Sequence, residues 1–263
     1  MKLSVCAETV FTDRDIAGRA EGIGRHGIKD FELWDLRWHD PLTLERTIHE
    51  DGYRLLSCAG NRDCTLINPD DRAGFLAELD TNLQRAQALK ASALIVLTDA
   101  VDDKGIPIPP DRPLTHDEKL ASVQEGLSQA VPRAEEAGIT LLVEPLNTKV
   151  DHPGYFLPDS ATGLELVRAV NSPRVKLLYD IYHQQLSEGD LIRTIEANLP
   201  WIGHIHAADV PGRHEPGTGE INHANIARML VANSYDGFVG LECFPAGDSD
   251  EALRAFISTY GEN

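Results

Sequence analysis

The chain has 263 residues, 42% of them hydrophobic, and a formal net charge of −18 at pH 7. This suits one large domain with a substantial core; the charge repels phosphate backbones and no basic run offsets it, so nucleic acid is not an expected partner. No stretch approaches the apolar length of a membrane span, and Glu8 and Asp13 follow the short apolar Leu3 to Val5 too closely for a signal peptide, so a cytoplasmic location is expected. Cys6, Cys58, Cys64 and Cys243 lack C-x-x-C spacing and the density of a disulfide scaffold, and read as reduced thiols.

In chain order, strands are expected over Leu3 to Ala7, Asp30 to Asp35, Tyr53 to Ala59 and Ala93 to Thr98, most of them apolar runs of the kind covered on both faces in a parallel sheet. Between the third and fourth, Leu76, Leu79, Leu83 and Ala86 step by helical spacing from Asp70 to Lys90, behind Asn68 as N-cap and Pro69 at the first helical position. Ala100 to Leu114 is the longest stretch without periodicity; stiffened by Pro107, Pro109, Pro110 and Pro113, it reads equally as a lid, an intersubunit arm or a surface loop without a role. A helix opens at Thr115 with Glu118 three residues on, a capping-box pattern, and stops at Gly138, with Pro132 expected to kink or interrupt it. Further strands are expected over Thr140 to Glu144, Val175 to Asp180, Gly203 to Ala207 and Phe238 to Cys243, with helices over Asp159 to Val170, Glu188 to Asn198, His223 to Asn233 and Asp248 to Tyr260. Repeated strand and helix with no linker means a single-domain α/β (β/α)8 TIM barrel over residues 1–263, with an open doubly wound sheet as the alternative.

In such a barrel the chemistry sits at the carboxyl ends of the strands, and there this chain places Glu8, Asp35, Asp99, Glu144, Asp180, His206, Asp209 and Glu242. Asp35 and Asp99 are as well explained by capping or solvation. Glu144 and Glu242 each end an apolar run and would carry buried charge unless paired or coordinated. Glu144, Asp180, His206 and Glu242 together make an oxygen-rich set for one divalent metal, Mn²⁺, Mg²⁺ or Co²⁺ by preference, with zinc also compatible. Beside such an ion, an α-hydroxycarbonyl compound can lose a proton to give an enediolate, with Glu144 and Glu242 as the acid/base pair. Trp34, Trp38 and Tyr155 are candidate pocket walls, although aromatic side chains near strand ends more often just pack. Pro216-Gly217-Thr218-Gly219 lacks both the Walker spacing and the dinucleotide fingerprint; it reads as a tight loop, and no nucleotide cofactor is expected.

The runs Glu144-Pro145-Leu146-Asn147, Asp151-His152-Pro153-Gly154-Tyr155-Phe156-Leu157, Tyr179-Asp180-Ile181-Tyr182-His183-Gln184, Gly203-His204-Ile205-His206, Ala208-Asp209-Val210-Pro211-Gly212-Arg213, His214 to Asn222 and Gly240-Leu241-Glu242 resemble the hydroxypyruvate isomerase-like branch of the xylose isomerase-like TIM barrels, which also include ketose 3-epimerases. The resemblance implies a metal-dependent isomerase of a small sugar or hydroxy-keto acid, with Glu144, Asp180, His206 and Glu242 as metal ligands and Glu144 and Glu242 as the proton-transfer pair. It implies that His183 and Arg213 hold substrate oxygens, against the plainer readings of a packed histidine and of a solvated cation or partner for Glu215. A dimer or tetramer is also implied. His206 leans towards the epimerases, since the isomerase branch often has glutamine there, while Asp151 to Leu157 and Ala208 to Asn222 lean towards the isomerases. Cys6-Ala7-Glu8 stands where hydroxypyruvate isomerases carry an asparagine, and the segment after Gly60 lacks their characteristic loop, which leaves the substrate open. Metal-assisted phosphoester hydrolysis, as in the apurinic endonucleases that share this barrel, and a non-enzymatic sugar-binding protein are the remaining alternatives.

Overall fold

A computed structural model describes residues 1–261. Eight strands, β1 (Lys2–Cys6), β2 (Asp30–Glu32), β3 (Arg54–Ala59), β4 (Ala93–Val96), β5 (Thr140–Val143), β6 (Val175–Asp180), β7 (Ile202–Ala207) and β8 (Phe238–Leu241), form a closed barrel in sequence order. Every neighbouring pair is parallel, and β8 returns to β1 with Leu3 opposite Val239. The barrel reading therefore holds and the open sheet does not.

The helices are α1 (Ile16–Gly24), α2 (Pro41–His49), α3 (Arg72–Ala88), α4 (His116–Ala137), α5 (Ser160–Val170), α6 (Ile181–Ser187), α7 (Leu191–Asn198), α8 (His223–Ala232) and α9 (Ser249–Tyr260). Local chemistry explains where several begin and end. The Thr115 hydroxyl accepts from Glu118 N while the Glu118 carboxylate accepts from Thr115 N at 2.7 Å, closing the capping box, and Gly138 ends α4 with φ of 71° in the left-handed region. Asp159 and Asp248 cap α5 and α9.

Some boundaries differ from the sequence reading. Asn68 caps a short 3-10 turn over Pro69–Asp71 rather than the long helix, which starts after it at Arg72. Pro132 does not interrupt α4, which runs through it to Ala137; the proline only deprives the Ser128 carbonyl of its usual backbone donor. The second strand stops at Glu32 because the ladder shifts register at Phe31/Glu32 and Asp35 then caps a 3-10 turn, Leu36–Trp38. Helix α6 follows β6 without a loop, since Asp180 ends the strand and also caps the helix by accepting from His183 N at 3.0 Å. Among the described residues no helix is long and apolar enough to cross a membrane. Cys6, Cys58, Cys64 and Cys243 are unpaired thiols.

Candidate active site and metal centre

Strand ends β5 to β8 deliver the central side chains. Glu144 follows β5, Asp180 closes β6, His206 lies in β7 opposite Gly240 of β8, and Glu242 follows β8. Each offers one ligand atom, all four atoms lie within 4.8 Å of one another, and all four residues are buried. His206 Nδ1 sits 3.2 Å from Glu242 Oε2, 3.8 Å from Glu144 Oε1 and 4.0 Å from Asp180 Oδ2.

This donor set fits a divalent cation. The buried His206 Nδ1 has no hydrogen-bond partner, and a buried polar atom without one is costly unless something else occupies it. Three carboxylates face it, and the set of one imidazole nitrogen with carboxylate oxygens matches the ligand preferences of hard to borderline divalent ions. Burial, opposed by Arg213 and supported by Glu242, pushes Asp180 up to about 7, as expected for a carboxylate crowded by others in a dry site. Burial would lower the pKa of His206, but Glu242 and Glu32 overcome it and hold it well above its ordinary value.

Around the cluster lie groups suited to a polar substrate. Arg213 is 9% exposed, and its Nη2 donates to Glu242 Oε2 at 2.6 Å and lies 3.7 Å from Asp180 Oδ2. It is neither solvated nor paired with Glu215, whose carboxylate accepts from Ala246 N. Arg213 adopts φ of 56°, uncommon for a long side chain, in a turn fixed by Phe244 N donating to Arg213 O. Burial would raise the pKa of Glu242, yet Arg213 and then His206 hold it well below the ordinary carboxylate range; Trp34 Nε1 donates to its other oxygen. His183 is fully buried, and Asn147 N donates to its Nδ1 at 3.2 Å, so that nitrogen is the acceptor and Nε2 carries the proton, with no partner of its own. Burial, then Arg213 and His152, keep the His183 pKa well below its ordinary value, which makes it a neutral donor.

A cavity of about 300 Å³ opens beside the cluster, at the lower end of the size usual for small-molecule sites. Glu144, Glu242, His183 and Arg213 line it, as do Trp34 and Trp38. Tyr155 is packing instead: it is buried, its hydroxyl accepts from Thr98 N and donates to Glu144 O. The segment after Ala100 doubles back on itself through an antiparallel Val101–Pro107 bridge, and Asp103, Lys104 and Gly105 join the cavity wall, held by Gly105 O against His152 Nδ1 at 2.7 Å.

Other charged strand ends stay out of the cluster. Asp35 is engaged by Arg37, Asp99 accepts from Thr98 Oγ1 and Phe156 N, and Glu8 meets Arg19 and His39. Asp209 orders the loop after β7 by accepting from Val210, Gly217 and Ile221 N. Glu32, Asn147 and Phe244 escaped the sequence reading. For Glu32 a signal existed, a carboxylate between the apolar Phe31 and Leu33 within the expected strand Asp30 to Asp35; for Asn147 and Phe244 nothing local marks the contact.

A model of the xylose isomerase-like TIM barrel family matches residues 23–259. The 2-oxo-tetronate isomerase of Pectobacterium atrosepticum is 27% identical over 261 residues, 96% of this chain and 95% of that protein. The hydroxypyruvate isomerase of Escherichia coli is 38% identical over 134 residues, 51% of this chain and 52% of that one. Among solved structures, a Brucella melitensis protein described as an AP endonuclease of family 2 superposes with a TM-score of 0.84 at 27% identity, covering 99% of both chains. D-psicose 3-epimerase of Clostridium cellulolyticum H10 superposes with a TM-score of 0.76 at 20% identity over 99% of this chain and 92% of that one, a likeness of fold. With the family model spanning most of the barrel and isomerases aligned along it, the chain belongs to the xylose isomerase-like TIM barrel family, and its class of activity is isomerisation.

Proposed function

We propose that the chain is a metal-dependent isomerase of small hydroxy-keto acids or sugars, acting on an α-hydroxycarbonyl compound through a cis-enediolate. The observation that carries this reading is the convergence of Glu144, Asp180, His206 and Glu242, with the partnerless His206 Nδ1 among them, beside a cavity of about 300 Å³. A divalent ion held by these four side chains, Mn²⁺, Mg²⁺ or Co²⁺ by the preference of oxygen-rich sets, would supply positive charge where the substrate oxygens gain negative charge.

The chain's own residues supply the rest. Glu144 and Glu242 enter from strands separated by β6 and β7, so one carboxylate can take the proton from the hydroxyl-bearing carbon while the other delivers one. The electron pair left by that proton forms the carbon–carbon double bond of the enediolate; the hydroxyl proton passes from the old hydroxyl oxygen to the old carbonyl oxygen, and protonation of the former carbonyl carbon completes the isomerisation. Neutral His183 offers Nε2–H and Arg213 offers its guanidinium to substrate oxygens, fixing the reacting carbons between the glutamates. Arg213→Ala and His183→Ala are therefore expected to lower kcat/KM by at least ~10-fold, about 1.4 kcal/mol, with metal content unchanged. Near-wild-type kinetics in both variants would return the two residues to packing roles.

One second reading has a specific observation behind it. His206 places an imidazole at the position where the isomerase branch often has glutamine, and the same machinery would then act as a ketose 3-epimerase, returning the proton to the carbon it left, on the opposite face. Phosphodiester hydrolysis fits less well, because a net charge of −18 opposes approach of a polyanion.

Turnover in heavy water separates the two. Hydroxypyruvate, 2-oxo-tetronates, tetruloses, pentuloses and hexuloses are offered with each metal, and products are resolved by chirality and connectivity. Deuterium at the terminal hydroxymethyl carbon is expected for the isomerase; deuterium at C3 with inversion would establish the epimerase instead. Product formed without any solvent deuterium, at every exchange time, would count against proton transfer altogether.

A further inference from the structure

Beneath the four-residue cluster lies a second polar group that the reaction does not use directly. Glu32 is 1% exposed, and its carboxylate is surrounded by donors: Ser4 Oγ and His204 Nε2 at 2.6 and 3.0 Å on Oε1, Ser57 Oγ and His206 Nε2 at 2.6 and 3.1 Å on Oε2. Four donors on two oxygens leave no place for a proton on the carboxyl, so both histidines meet it with Nε2–H. For His206 this settles which nitrogen is left over. Once the ring is neutral, as ligation of a cation requires, Nδ1 is then the nitrogen that carries the lone pair, and it is the atom that faces Glu242, Glu144 and Asp180.

Gly240 makes room for this contact. It pairs with Ser4 on one side and His206 on the other, and a Cβ there would run into Glu32 Oε1 and come within 3.0 Å of His204 Nε2 and His206 Cδ2. Five strands thus contribute to one buried layer, with Ser4 from β1, Glu32 from β2, Ser57 from β3, the two histidines from β7 and Gly240 from β8. A buried carboxylate is expensive to keep unless it has a task that a packed apolar side chain could not perform.

We propose that Glu32 is a positioning residue: it fixes the His206 ring and its Nε2–H tautomer so that Nδ1 is presented, unprotonated, to a cation held with Glu144, Asp180 and Glu242. The inference rests on the metal reading above and extends it to a residue outside the ligand set. Outer-sphere carboxylates of this kind orient ligating imidazoles and raise their basicity, and losing one typically costs about 10- to 100-fold in metal affinity. The alternative is that Glu32, His204 and His206 themselves hold an ion, since their donor atoms also cluster; the two serine hydroxyls already bonded to Glu32 argue against it.

The test uses Mn²⁺ titration of the intact chain by calorimetry and electron paramagnetic resonance. Wild type is expected to bind one Mn²⁺, and Glu32→Gln, whose amide has one acceptor oxygen where the carboxylate has two, is expected to bind it about 10- to 100-fold more weakly. Gly240→Ala, which keeps every polar group but crowds the pair, should weaken binding in the same direction. In the Zn²⁺-loaded wild type, ¹⁵N resonances of His206 should show a protonated Nε2 and a metal-bound Nδ1, a readout that needs no variant to fold. Undiminished Mn²⁺ affinity in both variants, or a proton on His206 Nδ1, would overturn the proposal while leaving the metal site intact. Two Mn²⁺ per chain, one of them lost in His204→Asn, would make Glu32 a ligand and overturn it differently. No Mn²⁺ bound by wild type at all would instead remove the metal reading on which the proposal stands.

Discussion

Glu144→Gln and Glu242→Gln are each expected to lose kcat by about 10²-fold or more. Glutamine keeps the size of glutamate and an oxygen that still reaches the cluster, but its amide neither accepts nor returns a proton at neutral pH. The two losses should differ in their side effects. Glu242 accepts from Arg213 at 2.6 Å and from Trp34, so its replacement leaves a buried guanidinium short of a counter-charge and should disturb substrate binding as well as turnover. Glu144 accepts no comparable cation; its nearest charged neighbour is His206 Nδ1 at 3.8 Å, and its replacement should act mainly on kcat. Steady-state kinetics with the substrate found in the screen measure both parameters. Wild-type turnover in either variant would mean that the two-glutamate mechanism is wrong, and a hydride shift between the adjacent carbons would become the better account.

Removal of the metal is expected to reduce activity to background, and addition of Mn²⁺, Mg²⁺ or Co²⁺ to restore it. Without a cation, Glu144, Asp180 and Glu242 crowd together with Arg213 and His206 as their buried counter-charges, and burial pushes Asp180 to about 7. A divalent ion relieves that repulsion, so loading should also raise the thermal midpoint, by roughly 2.7 kcal/mol of added stability at a free metal concentration of about 100 times Kd. Scanning calorimetry of the chelated and reloaded protein gives this independently of any substrate. Asp180→Asn should bind metal weakly and lose most of both effects. Full turnover in a preparation shown to be metal-free would remove the ion from the mechanism.

Much of the architecture is written locally. Apolar runs such as Leu141 to Val143 and Leu177 to Tyr179 suit strands covered on both faces, and the Thr115–Glu118 box and Gly138 mark the ends of α4 through bonds that span only a few residues. Such features repeat along the chain, so the barrel could be read from their order alone. Glu144, Asp180, His206 and Glu242 were legible as a group for a related reason: each lies at or beside the carboxyl end of a strand, and closure of a parallel barrel brings those ends together. What a residue does once it arrives was not legible. Asp35, Asp99 and Asp209 end or follow strands as well, yet backbone N–H groups and Arg37 claim them before they can reach the cluster. Arg213 is drawn to Glu242 rather than Glu215 by the turn between β7 and β8, and the tautomer of His183 depends on the backbone of Asn147, 36 residues away. Glu32 meets His206 across the barrel interior, 174 residues distant in sequence. Local propensity and periodicity determined the elements and their order, because those depend on neighbours within a turn or a strand; barrel closure and strand register decided which buried charges share a hydrogen bond, because those distances exist only after the chain has folded.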